Sequence, residues 1–505
     1  MNAEEWEAAR AARAEAVEAM IDFLHQQLFK DANLAANLTL LELPNLLAAL
    51  EHLRKGADPE RVVDRAIRLE TLIARLGCAR ALARVVEIRF EAARRLGAWS
   101  HAQFLAEQAA IQRLIDQGRF REATELARSL LAKMNAAGDA AYQGAPYDIA
   151  VAHVTFGRAL KMSGAAEEAV APLDEAYQRS QKLGKSQLTS VALTEKAGCL
   201  TLLGRYDEAA NLYEESIRSD EEIGDARGVA VGKCQFAALR QLQEEYPEAL
   251  ELCIEVRDIF TQLGEPSAVA NVWRQIGTVH SQIGQYKAAE KAYQESLKIH
   301  VEVGNRAGEG TTLNELGSLY SQMGHSEEAV LFYRQAAEVF VEVGDLRYEG
   351  AVRSNMASGL IRLTRFEEAR QQLLRAVECK KPFGHAALPW TTFDILSDLE
   401  RAVGNQPEAL KARGQAMQAY LGYRRDGGES QNPRAQLCAL VAHDPDAARS
   451  LLAEPRQRPD LPDLTALISL LEAVLDGSRD PALADDPNLN YDDAAELLLL
   501  IESLR

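Results

Sequence analysis

The sequence has no apolar run approaching the roughly 18 residues that a membrane-spanning helix requires, so it contains no candidate span. Its six cysteines, Cys78, Cys199, Cys234, Cys253, Cys379 and Cys438, are scattered, with no C-x-x-C pair and no histidine at metal spacing. They read as small core residues in a reducing compartment, which excludes a disulfide framework or a zinc module. Proline is scarce, with 16 in 505 residues, and β-branched runs are few, so the chain has little from which to build strands. Positive charge is also short: 56 Lys and Arg stand against 75 Asp and Glu, a net charge of −19. That balance opposes the phosphate contacts on which nucleic-acid binding depends. The opening residues, Met1-Asn2-Ala3-Glu4-Glu5-Trp6, are acidic where a secretory signal is basic. The expectation is a cytoplasmic protein with neither nucleic acid nor membrane as its main partner.

Catalytic signatures are missing as well. There is no H-E-x-x-H, no G-x-S-x-G and no G-x-G-x-x-G. Gly184-Lys185-Ser186 resembles the end of a phosphate-binding loop, but Arg179 stands where the loop needs its first glycine, and no strand precedes it. The nine histidines are dispersed, and none sits at ligand spacing from a Cys, Asp or Glu. The reading is a protein that is not an enzyme and needs no cofactor or metal.

What is abundant is Ala, Leu and Glu, and they repeat. An alanine recurs every 40 residues, at 169, 209, 249, 289, 329, 369 and 409. Five residues earlier a turn glycine stands at 164, 204, 284, 324 and 404, with Glu244 and Thr364 in the two remaining places. Glycine closes a helix there because it enters the left-handed region without a Cβ clash. A second glycine column at 184, 224, 264, 304, 344 and 384 closes the other helix. Small residues at 157, 197, 237, 277, 317, 357 and 397 and bulkier ones at 173, 213, 253, 293, 333, 373 and 413 complete the pattern. They are the holes and knobs that pack one helix pair on the next. Each unit is helix, turn, helix, loop.

This combination of small residue, Gly, aromatic, Ala and Tyr resembles the tetratricopeptide repeat in a longer, 40-residue form. It is similar to the arrays of Pins-type polarity scaffolds and to the sensor halves of bacterial signalling NTPases of the NB-ARC or STAND class. Residues 41–50, LELPNLLAAL, resemble the segment that joins the NTPase core to the repeats in such proteins. The resemblance implies an all-α fold, a right-handed α-solenoid of antiparallel helix pairs with helical caps at both ends. The expected divisions are an N-terminal helical region at 1–100, an irregular unit at 101–146, seven 40-residue units at 147–424, and a C-terminal cap with an acidic tail at 425–505. Two stretches are candidate secondary docking sites: Arg61–Arg95, with nine arginines against four acids, and the tail from 441, with 14 Asp and Glu against five Arg.

In such repeats the first helix of each pair lines a concave face where peptides or partner helices bind. Counting the small residue as position eight, the family places that face at positions two, five, nine, twelve and thirteen. In the first three units these positions are largely apolar: Val151, Val154 and Met162, then Val191 and Leu202, then Val231, Cys234 and Leu242. In the next three they are polar: Asn271, Arg274, Thr278, Ser281 and Gln282, then Thr311, Asn314, Ser318, Ser321 and Gln322, then Ser354, Ser358 and Arg362. Asn and Gln carry both donor and acceptor and can pair with a peptide backbone, and Arg can bind a carboxylate. The expected function is recognition of a protein or peptide segment, as a scaffold or as a sensor in bacterial signalling or defence. Two alternatives stand beside it: a regulatory subunit for a hydrolase or NTPase supplied by another chain, and a self-assembling scaffold. The sequence leaves the oligomeric state open.

Overall fold

The computed structural model describes residues 3–30, 32–56, 58–73, 78–96, 99–116, 118–425, 428, 430, 432, 434–453 and 462–505. Every regular element among them is helical. None of these helices is long and apolar enough to cross a membrane. The fold is an all-α array of tandem antiparallel helix pairs. Ahead of the regular array come α1 (Ala3–Lys30), α2 (Ala32–Gly56), α3 (Pro59–Ile73), α4 (Ala79–Arg95), α5 (His101–Asp116) and α6 (Phe120–Ala137). The first helices of successive pairs are α7 (Ala145–Met162), α9 (Ser186–Leu202), α11 (Ala226–Leu242), α13 (Pro266–Gln282), α15 (Arg306–Gln322), α17 (Leu346–Arg362) and α19 (Pro389–Ala402). The second helices are α8 (Ala166–Lys182), α10 (Tyr206–Glu222), α12 (Tyr246–Gln262), α14 (Tyr286–Glu302), α16 (Ser326–Val343), α18 (Phe366–Lys380) and α20 (Gln406–Arg425).

The columns of the sequence are the packing surfaces of the array. All seven recurring alanines are buried, from Ala169 to Ala409. A Cβ added at Gly157 would stand 2.6 Å from Leu173 Cγ, and one at Gly277 would stand 2.6 Å from Tyr293 Cε1, so the knob column fills the space that the small column leaves. The turns are equally uniform: Gly164, Gly204, Gly284 and Gly324 have φ of 91°, 72°, 73° and 81°. Glu244 and Thr364 adopt the same left-handed geometry, with φ of 63° and 59°. A residue with a Cβ is strained there by roughly 1–2 kcal/mol, which the packing on either side overrides.

The chain divides into two compact units, residues 1–325 with 335–345 and residues 326–334 with 346–505, a division that runs through α16. In the first unit α1–α5 share a core that includes Ile21, Leu24, Leu46, Leu50, Val62, Leu69 and Ile88. The arginine-rich segment is used to tie these helices together. Arg61 and Arg65 bind Glu18 at 2.8 and 3.2 Å, Arg68 binds Asp22 at 3.0 Å, and the fully buried Arg89 binds Glu70 at 3.0 Å and donates to the Ala106 carbonyl. Arg113 closes on the other oxygen of Glu70 at 3.1 Å. Helix α1 also lies against α13.

In the second unit the last of the first helices starts late, while the 40-residue register holds: Ser397 and Ala409 are buried and Gly404 has φ 79°. Lys381–Ala387 form a 3-10 segment containing Gly384 at φ 54°, ψ −134°, and α19 starts at Pro389, three residues later than the period of the earlier first helices. Beyond α20 come α21 (Ala435–His443), α22 (Pro445–Ala453), α23 (Pro462–Leu475) and α24 (Tyr491–Ser503). Helix α24 packs on α20 around Trp390, Tyr420, Leu421 and Ala495. Acids of the tail hold it there: Glu496 accepts from Tyr420 at 2.8 Å and pairs with Arg424 at 2.9 Å, and Asp493 pairs with Arg434 at 2.6 Å.

Candidate functional site

The face assigned from the repeat register divides by exposure. On α9 and α11, Val191 and Val231 are each 36% exposed, and Leu202 and Leu242 are 62% and 58% exposed. Met162 at the end of α7 is 41% exposed, and Val151 is half-buried. Val154 is corrected: it is buried with Ala150, Ala176, Leu188 and Ala192, because the fifth position of α7 turns toward α8 and α9, and it is no part of a groove. Cys234, in the same place on α11, is half-buried and donates from Sγ to Gln275 Oε1 at 3.2 Å.

On α13, Asn271 and Gln282 are exposed while Arg274 and Thr278 are half-buried. Thr278 donates to the Arg274 carbonyl at 3.1 Å and accepts from Tyr293 at 3.2 Å. On α15, Asn314 and Ser318 are half-buried and Gln322 is exposed. The amides are already employed: Gln241 donates to Gln282 Oε1 at 2.8 Å, and Ser281 donates to Gln322 Oε1 at 3.0 Å. The polar stretch therefore braces one helix pair on the next with the groups expected to face a ligand. In the second unit, Ser354 on α17 is also corrected: it is buried, bonded to the Gly350 carbonyl at 3.0 Å and to Thr392 at 3.0 Å. Ser358 there is half-buried and bonds the Ser354 carbonyl at 3.3 Å, and Arg362 is exposed.

Within the first unit a cavity of about 540 Å³ opens on this face. Its lining includes Lys161 of α7, Gly198 and Leu202 of α9, Cys234, Ala238 and Gln241 of α11, and Arg274 and Thr278 of α13. It thus lies across the first four pairs and meets the polar stretch only at α13. The Arg274 guanidinium has no hydrogen bond or ion pair with any described residue. Its charge is felt by Glu315 on α15, whose carboxyl burial pushes up while Arg274 pulls it partly back.

Lys161 is held by a group that sequence reasoning missed. Glu195, buried on α9, accepts from Arg158 Nε at 2.6 Å and from Lys161 Nζ at 2.5 Å, locking α7 to α9 through the lysine that lines the cavity. Burial pushes the Glu195 carboxyl up, but the two cations beside it prevail and hold it below the usual carboxylate range. The available signal was the single acid of α9, at position six, one repeat beyond two bases. His300 on α14 was also unmarked. It is fully buried against Gly308, and burial, with the Arg274 charge adding to it, pushes its imidazole down to about 4.

The tetratricopeptide repeat family model matches residues 148–222, 229–300 and 268–340. No curated protein matches the sequence. Among solved structures the chain is similar to BtubC from P. vanneervenii, at 20% identity over 46% of this chain and 92% of that one, with a TM-score of 0.36. It is similar to a STAND protein with a tetratricopeptide repeat sensor from Pyrococcus horikoshii, at 16% identity, 74% of this chain and 54% of that one, TM-score 0.46. It is also similar to a Rap protein solved with competence and sporulation factor, at 12% identity, 74% of this chain and 99% of that one, TM-score 0.48. The register, the turns and the family match agree: residues 148–222 and 229–340 are tetratricopeptide repeats.

Proposed function

We propose that the protein is a recognition module that binds a segment of a partner protein on its first-helix face, with the contact centred on α7, α9, α11 and α13. One observation carries this reading. Three apolar side chains at the same repeat position, Met162, Leu202 and Leu242, stand 41%, 62% and 58% exposed beside a 540 Å³ cavity lined by the Arg274 guanidinium, which is unpaired among the described residues. Large exposed apolar side chains gathered on one face mark interaction surfaces, and an unpaired Arg in a recess favours a carboxylate with bidentate geometry. Asn271, Asn314 and Ser318 extend the surface with hydrogen-bonding groups. A sensor or adaptor role in bacterial signalling is the narrower form of the reading, and the identity of the partner decides it.

The test compares affinity capture by the full-length chain with capture by an Arg274→Ala, Leu202→Asp, Leu242→Asp variant whose helical content matches the wild type. A partner recovered by the wild type and lost from the variant supports the reading. A partner recovered equally by both places the site elsewhere and overturns it.

A further inference from the structure

We propose that the ligand of this face is an amphipathic helix, laid across α7, α9 and α11 with an acidic residue at the α13 end. The inference rests on the binding function proposed above and adds the conformation and chemistry of what is bound.

Two apolar rails run along the face. One is formed by the second positions, Val151, Val191 and Val231, and the other by the thirteenth, Met162, Leu202 and Leu242. Eleven residues separate the rails along each helix. At 1.5 Å rise and 100° per residue they share one face and stand about 16 Å apart. A helix with its side chains is about 10–12 Å across and fits between the rails. Between the rails the floor is low where the ninth position is Gly198 or Ala238, both of which line the cavity.

The spacing along the array points the same way. Consecutive first helices pack directly, α7 on α9 and α9 on α11, and packed helices stand about 8–10 Å apart. A partner helix returns to the same face every seven residues, about 10 Å, so apolar residues at i, i+7 and i+14 meet Met162, Leu202 and Leu242 in turn. In an extended strand the residue that advances about 10 Å is i+3, which points to the opposite side. Charge sets the polarity. Lys161 is already held by Glu195, while Arg274 at the α13 end has no hydrogen bond or ion pair among the described residues, so the acidic residue of the ligand belongs there.

The experiment selects peptides from a displayed library of random 20-residue sequences, using the full-length chain as bait and the Leu202→Asp, Leu242→Asp variant as counter-bait. The expected peptides bind the wild type at least tenfold better than the variant, carry apolar residues in a heptad pattern, and gain helical circular dichroism on binding. A central proline should weaken them at least tenfold, and Arg274→Ala should weaken only peptides with the terminal acid. If the selected peptides depend on Leu202 and Leu242 but are proline-rich or alternate apolar and polar residues, the ligand is extended and this inference falls while the binding function stands. If no peptide distinguishes the two baits, both fall.

Discussion

The α9–α11 and α13–α15 stretches of the first-helix face are built on one register and use it in opposite ways. At the thirteenth position α9 and α11 carry leucines that are more than half exposed, while α13 and α15 carry glutamines bonded back to the preceding pair. The packing behind both is the same, with alanine and Tyr or Cys columns buried to a similar degree. Stability is therefore supplied by the back of each pair, and the front is free to differ. The apolar stretch leaves surface unspent, and the polar stretch uses its side chains as braces.

Four perturbations separate these roles. The largest effect should come from beneath the apolar stretch: Glu195→Ala strands Arg158 and Lys161, and loss of one partner from a mostly buried network costs about 3 kcal/mol. Urea denaturation should show the midpoint falling accordingly, and the loss should shrink at acid pH, once the wild-type carboxylate, held below its usual range, itself protonates.

Behind the polar stretch, His300 makes stability depend on pH. Its folded pKa is near 4 and its unfolded value is about 6.5, so the unfolded chain binds the proton first. Its contribution is complete above about pH 6.5 and is lost as pH falls toward 4, by about 3 kcal/mol in all. His300→Phe, which copies Phe260 and Phe340 in the same column, should flatten that dependence in melts run from pH 7 to 4.5. An unchanged slope would assign it to other groups.

On the exposed leucines the expectation reverses. Leu202→Asp with Leu242→Asp should leave the urea midpoint within about 0.5 kcal/mol of wild type, as exposed positions do, while reducing partner affinity at least tenfold. Loss of both together would mean that these leucines belong to the core after all.

The smallest effect concerns the turns. Glu244→Gly relieves a left-handed residue and gives up some unfolded-chain restriction, for a net gain of about 0.5–1 kcal/mol. Thermal melts should rise for it and for Thr364→Gly alike.

The helices were legible because their signals are local and repeat. Glycine at a turn and alanine at a contact need no knowledge of distant residues, and even Glu244 and Thr364 could be placed by counting. The groove was half legible. Leu202 and Leu242 could be placed by register, but position five, about 60–80° around the helix from the rails, is used both ways: Cys234 and Arg274 line the cavity there, while Val154 and Ser354 are buried. The Glu195 network and the bonds through Gln282 and Gln322 depend on how far one pair is offset from the next, and a count of residues along one chain does not carry that distance. The late start of α19 had a visible cue in Lys381-Pro382-Phe383-Gly384, where Pro382 sits just ahead of the turn glycine, and the period runs on beyond it through Ser397 and Ala409.

The bonds from Gln241 to Gln282 and from Ser281 to Gln322 each run from position twelve of one helix to position thirteen of the next. Because Ser281 and Gln282 are adjacent residues, one bond ends where the next begins, and the two form a continuous tie rod from α11 through α13 to α15. Gln241 also lines the cavity, so a ligand that turned this amide would act on the first link of the rod. Through the second link, from Ser281 to Gln322, that effect would extend to α15, beyond the rails themselves.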